Sequence, residues 1–172
     1  MLNRIRNRKR GFTLIELLIV VAIIGIIAAL LIPNFLDALQ KAKQKRTVAD
    51  ARNVGTAMFS WVTDQVGAAA AGQSVLNITS IPAITPENLR TVLVSQYLQE
   101  VPLVDGWKGT YDYRLNTLNP LAATVMGIRS SGRNKTFSTD SYTIGAFDPT
   151  DYDQDIVWAD GYFARWPQKI TT

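Results

Sequence analysis

A chain of 172 residues can hold one modest domain plus an appendage, and its 47% hydrophobic content is unevenly spread. The formal charge of +4 at pH 7 is concentrated in the first ten positions, where Arg4, Arg6, Arg8, Lys9 and Arg10 lie; setting these five aside leaves thirteen basic against fourteen acidic residues. With no Cys and no His, thiol nucleophiles, Cys/His zinc sites, Ser-His-Asp triads and disulfide staples are excluded, and the near-neutral remainder gives no reason to expect a nucleic-acid partner.

Residues 1–11, MLNRIRNRKRG, form a short basic leader. An apolar run follows at once, with no charge between Leu17 and Ile32. As a helix rising about 1.5 Å per residue, residues 12–32 reach roughly 30 Å, the thickness of a bilayer hydrocarbon core. The clustered Arg and Lys hold their end in the cytoplasm and leave the C-terminal bulk outside. Pro33 and Asn34 follow the run, with no small-residue cleavage pattern, so the segment reads as retained rather than removed as a signal peptide. Glu16 is the one acid within residues 12–32; intramembrane carboxylates cost about 2.5–3.5 kcal/mol on insertion scales and are normally partnered.

The segment Gly11-Phe12-Thr13-Leu14-Ile15-Glu16 resembles the cleavage and methylation motif of type IV prepilins and type II secretion pseudopilins, and the resemblance continues through Ile32 with Gly25 and Pro33. It implies that a prepilin peptidase cuts between Gly11 and Phe12 and methylates the new terminal Phe12. It also implies assembly through Glu16, whose carboxylate would meet the terminal amine of a neighbouring subunit. Burial of apolar surface is indifferent to axial register, whereas an unpaired desolvated charge is not, so such a pair selects the register. The stretch from Gly25 to Pro33 is expected to loosen in the filament.

Beyond Pro33, Leu36, Leu39, Ala42, Val48, Ala51, Val54, Met58 and Val62 recur mostly at three- and four-residue steps. Residues 33–66 are therefore the exposed half of one long helix ending near Asp64–Gly67, interrupted by a basic cluster of Lys41, Lys43, Lys45 and Arg46. Residues 67–172 form a globular head. Its Gly67–Gly72 stretch reads as a connector, and Asn77-Ile78-Thr79 matches a glycosylation sequon. Thr85-Pro86-Glu87 is a helix start, with Leu89, Val92, Leu93 and Tyr97 on one apolar side. Strands are predicted over 109–115, where Tyr111, Tyr113 and Leu115 alternate, and over 122–128. Asp160-Gly161 between two β-forming runs predicts a hairpin. The fold class is α+β: a long N-terminal helix, membrane-spanning in its first half, packed on a small antiparallel sheet.

Residues 97–113 are similar to a Pro…Asp-Pro-Trp-Gly-x-x-Tyr-x-Tyr region of the major pseudopilins of type II secretion, with Gly106 in place of the second Pro. The Asp153-Gln154-Asp155-Ile156 stretch is similar to that group's Asp-x-Asp-Ile ending. Asp148, Asp151, Asp153 and Asp155 crowd into eight residues, and hard carboxylate oxygens suit calcium, which takes six to eight ligands. The resemblance implies Ca²⁺ in this loop, with Asp153 and Asp155 foremost. Against it, Asn134 replaces a carboxylate in Ser130-Ser131-Gly132-Arg133-Asn134, and Arg133 adds an adverse charge.

The expected protein is a structural subunit of a type II secretion pseudopilus; the alternative is a type IV major pilin for attachment, motility or DNA uptake. Its partners would be copies of itself, a prepilin peptidase, an inner-membrane assembly platform, minor pseudopilins and the inner membrane. Before assembly it would be a single-pass bacterial inner-membrane protein with a periplasmic head, and afterwards a periplasmic or extracellular filament. An anchored enzyme using paired carboxylates is disfavoured because nothing sets the separation of Asp151, Asp153 and Asp155.

Overall fold

A computed structural model of the chain describes residues 11–66, 75–94 and 96–169. The expected connector at Gly67–Gly72 and the leader up to Arg10 lie outside them. The chain divides into two compact units, residues 1–39 and 40–172. Helix α1 (Leu14–Val66) runs through the division as 53 helical residues, ending where the loss of periodicity predicts.

In the second unit, α1 buries Gln44, Thr47, Ala51, Val54 and Met58, a stripe with the three- and four-residue spacing of one helix face. The expected Val48 and Val62 sit half-buried at its margins, whereas Ala42 is exposed. Gly55 lies on this face because the Trp158 indole presses against it: a Cβ there would stand 2.5 Å from the ring. Helix α2 (Pro86–Leu93) starts as expected, with the Thr85 hydroxyl accepting from the Asn88 amide and Pro86 in the first turn. Its Leu89 and Leu93 are fully buried, each contributing about 1.5–3 kcal/mol. Tyr97 is not on that helix. Val94 turns extended, and the Tyr97 hydroxyl donates instead to Asp64 on α1 at 2.7 Å.

The strands are β1 (Val75–Asn77), β2 (Asp112–Leu115), β3 (Met126–Ser130), β4 (Ser141–Thr143), β5 (Gly145–Phe147), β6 (Ile156–Ala159) and β7 (Tyr162–Pro167). A five-stranded sheet has the order β2-β3-β6-β7-β5, and β1 pairs with β4 in a separate ribbon. The expected alternation holds in β2, where Tyr111, Tyr113 and Leu115 are buried. Strand β3 begins later than predicted, because Asp160 takes the amides of Val125 and Met126 and starts the ladder there. The β6–β7 hairpin forms as predicted, with Asp160 and Gly161 at φ 46° and 98°, the conformation of a type I′ turn.

The sheet is mixed rather than antiparallel: β5 pairs parallel with β7. Strand β6 is paired on both edges, with β3 and β7, so β5 cannot lie beside it and pairs instead at the outer edge of β7. The connection over 148–155 sends the chain past it. All four residues of β6 are buried. Trp158 packs with Ala51, Val54, Met58, Leu89 and Ile128, while Val157 and Ala159 pack with Ile78, Tyr142 and Ala164. A strand covered on both faces needs apolar residues throughout.

Candidate functional site

The N-terminal unit begins with Gly11 and Phe12 exposed and non-helical. Thr13 caps α1. Its hydroxyl accepts from the Glu16 amide at 3.3 Å, and its backbone N–H and hydroxyl both donate to Glu16 Oε2 at 2.8 Å. This is a reciprocal capping box. The signal, Thr-x-x-Glu ahead of an apolar run, stands in the sequence, yet attention to the charge of Glu16 passes over Thr13. The box holds one carboxylate oxygen beside the start of the helix.

Helix α1 exposes every large apolar side chain from Leu14 to Ile32. It is long and apolar enough to cross a membrane. Fourteen exposed Leu, Ile and Val side chains represent on the order of 20 kcal/mol of burial. That energy is released only in lipid or against other helices. Gly25 meets no atom within 4 Å of a Cβ, so nothing inside the subunit requires glycine there. The helix continues through Pro33, which brings no donor to the ladder; next to it the Asn34 side-chain amide donates to the Leu30 carbonyl at 3.2 Å.

In the head, the four aspartates point to different partners. Asp148 accepts from the amide and hydroxyl of Thr150, a contact that lowers its carboxyl below the usual range. Asp151 accepts from the Asp153 amide and the Gln154 side chain. Asp153 faces Arg133, with bonds of 2.9 and 2.6 Å to its two oxygens. Asp155 is buried; its Oδ2 accepts from the Ser138 amide and hydroxyl and from the Tyr142 hydroxyl. In the basic cluster on α1, Lys41, Lys45 and Arg46 are exposed and Lys43 is half-buried, with Arg46 3.6 Å from Asp50.

The description "Prokaryotic N-terminal methylation motif" matches residues 6–32. Type II secretion system core protein G of Pectobacterium carotovorum subsp. carotovorum is 33% identical over 113 residues, 66% of this chain and 69% of that protein. Core protein G of Klebsiella michiganensis is 30% identical over 135 residues, 78% of this chain and 91% of that protein. This chain belongs to the type II secretion system core protein G family. The type IV major pilin protein PilA of Myxococcus xanthus is 46% identical, but over 63 residues, 37% of this chain and 29% of that protein. No solved structure matches.

Calcium is the ion that resemblance to major pseudopilins implies for this loop. Among the described residues no three carboxylates converge on a point that could hold an ion, and the ion favours six to eight oxygens. Two buried groups that sequence reasoning missed organise the head. Asp105 accepts from the amides of Trp107 and Gly109 and from the Ser130 hydroxyl. Arg129 bonds Asp112, Asp140 and Tyr142 and stacks 4.0 Å from the Phe137 ring. The Asp105–Gly106 step also ties the head to its helix, since the Gly106 amide donates to Thr47 and the Trp107 indole to Gln40. These are long-range pairs for which the sequence offers only residue types.

Proposed function

We propose that this chain is the polymerising structural subunit of a type II secretion pseudopilus, with no catalytic role. A prepilin peptidase removes residues 1–11 and methylates Phe12; the subunit then leaves the inner membrane, with its head in the periplasm, and joins a helical filament at an inner-membrane platform with minor pseudopilins. The observation that carries the reading is the uncovered apolar helix from Leu14 to Ile32 directly after the exposed Gly11–Phe12 step. A surface of this kind is stable only in lipid or in a bundle of like helices. Glu16, held at the helix start by Thr13, supplies the charge that a neighbour's terminal amine would satisfy, and Gly25 and Pro33 supply the stretch able to loosen on extraction.

A type IV major pilin is the second reading, and the 46% identity to the Myxococcus protein favours it only over 63 residues. The broader coverage by core protein G favours secretion. Intact mass and N-terminal sequencing of sheared filaments and of membranes test the pathway. A sheared-fraction chain starting at methylated Phe12 is expected. A chain starting at Met1 and confined to membranes would overturn the assembly reading.

A further inference from the structure

Two irregular stretches are bonded to each other beside β6: residues 131–134, after β3, and residues 151–155, before β6. The Arg133 amide donates to the Tyr152 carbonyl at 2.8 Å. The Asn134 side-chain amide donates to the Asp153 carbonyl at 3.0 Å. Gly132 makes this approach possible. It sits at φ 66°, and a Cβ there would stand 2.6 Å from the Tyr152 carbonyl oxygen and 2.8 Å from that of Gln154.

We propose that this chain closes its C-terminal loop with a side-chain clasp, Arg133 on Asp153 backed by the buried Asp155 cradle, in place of a bound divalent cation. From residues 131–134 the groups that cross the gap are hydrogen-bond donors, which cannot ligate a metal, and they occupy the carbonyl and carboxylate oxygens opposite. Arg133 engages both oxygens of Asp153 through Nε and Nη2, a fork geometry that combines charge with orientation, and it sets a positive charge against the carboxylate that a cation would need. Asn134 turns its nitrogen toward the Asp153 carbonyl and gives its oxygen to the Thr136 amide. Asp155 Oδ2 is saturated by three donors. Asp155 Oδ1 is buried without a partner, but a single oxygen is far short of a calcium shell. The cradle reaches back to β3 through Tyr142, whose hydroxyl also accepts from Arg129. Arg133 further lies 5.9 Å from the Tyr152 ring centroid. Loop, strand and ribbon are thus joined by side-chain and backbone hydrogen bonds.

Thermal unfolding of the full chain in detergent micelles, followed by near-ultraviolet circular dichroism, tests the clasp. Millimolar calcium and EDTA are expected to give the same Tm. Arg133→Ala is expected to lower Tm by about 1–4 °C, the range for a part-exposed pair in a protein of this size. Asp153→Ala should do the same, and the double variant should fall no further than the lower single, because the two side chains act on each other. A calcium-dependent rise in Tm of the unaltered chain, lost in Asp155→Asn, would overturn the proposal. So would an unchanged Tm in Arg133→Ala. The calcium titration needs no variant, so it decides even if a substituted chain fails to fold.

Discussion

Glu16 folds back onto Thr13, its Oε2 receiving both the backbone N–H and the hydroxyl of that residue at 2.8 Å. The side chain read from sequence as an assembly charge therefore also starts the helix. Those two jobs separate in Glu16→Gln, because glutamine also completes a capping box but carries no charge. Glu16→Gln is expected to insert and to be cleaved at Gly11 as efficiently as the parent, yet to be lost from the sheared-filament fraction. Immunoblots of membrane and sheared fractions, with intact mass of each, check it; filaments at parental yield would remove charge from the assembly argument.

Gly55 and Gly25 lie on the same helix, and their substitutions should behave differently. At Gly55 a methyl group would meet the Trp158 indole at 2.5 Å. Overpacking of this kind costs about 1–3 kcal/mol, more than the roughly 1 kcal/mol that alanine gains in helix propensity. At Gly25 the space is open, and Gly25→Ala should leave unfolding of the head unchanged. Denaturant titrations of both variants in detergent provide the comparison.

Asp105 is 1% exposed and receives two backbone amides and the Ser130 hydroxyl. Asp105→Ala strands those donors in the interior. With a buried unsatisfied donor costing about 1–3 kcal/mol, a loss of roughly 3 kcal/mol or more is expected, visible as a fall in the urea midpoint. Asp105→Asn retains an acceptor for part of the set and should lose less.

Two aspartates give the head opposite responses to pH. The hydrogen bonds from Arg133 hold the Asp153 carboxyl below its usual range. Its stabilisation is complete above the unfolded carboxylate pKa and is lost as pH falls through the lowered folded value. Burial pushes the Asp160 carboxyl up, partly offset by the amides of Val125 and Met126. The folded state then keeps that proton to a higher pH than the unfolded chain, so raising pH through this window costs stability. Asp160→Asn, which keeps an acceptor for both amides, should match or exceed the parent at neutral pH and lose that advantage in acid. Asp153→Asn should be weaker at neutral pH and decline less on acidification. Unfolding midpoints from acid to neutral pH read both signs.

Much of this protein was legible without coordinates. Thr85 caps α2 through the Asn88 amide three residues on, Asp160-Gly161 makes a two-residue turn, and Tyr111, Tyr113 and Leu115 share a face through strict alternation. Each is a relation among residues a few positions apart, where backbone geometry translates spacing into contact. The antiparallel expectation failed at β5, a three-residue strand too short to carry a pattern of its own. Pairing of β6 on both sides leaves β5 a place only at a sheet edge, and it takes the one beside β7.

The sequence by itself determined the basic leader, the uncharged run that must find lipid or like helices, the Glu16 carboxylate at its head, and the long helix to Val66. Those follow from local composition, because solvation and helix period act residue by residue. Only the tertiary structure decided what the distal aspartates do. Their density in the sequence does not give direction. Asp153 faces Arg133, Asp155 turns inward to Ser138 and Tyr142, and Asp148 and Asp151 bond within their own turns. Which charge meets which partner depends on chain segments about twenty residues apart being brought together, and packing alone supplies that information.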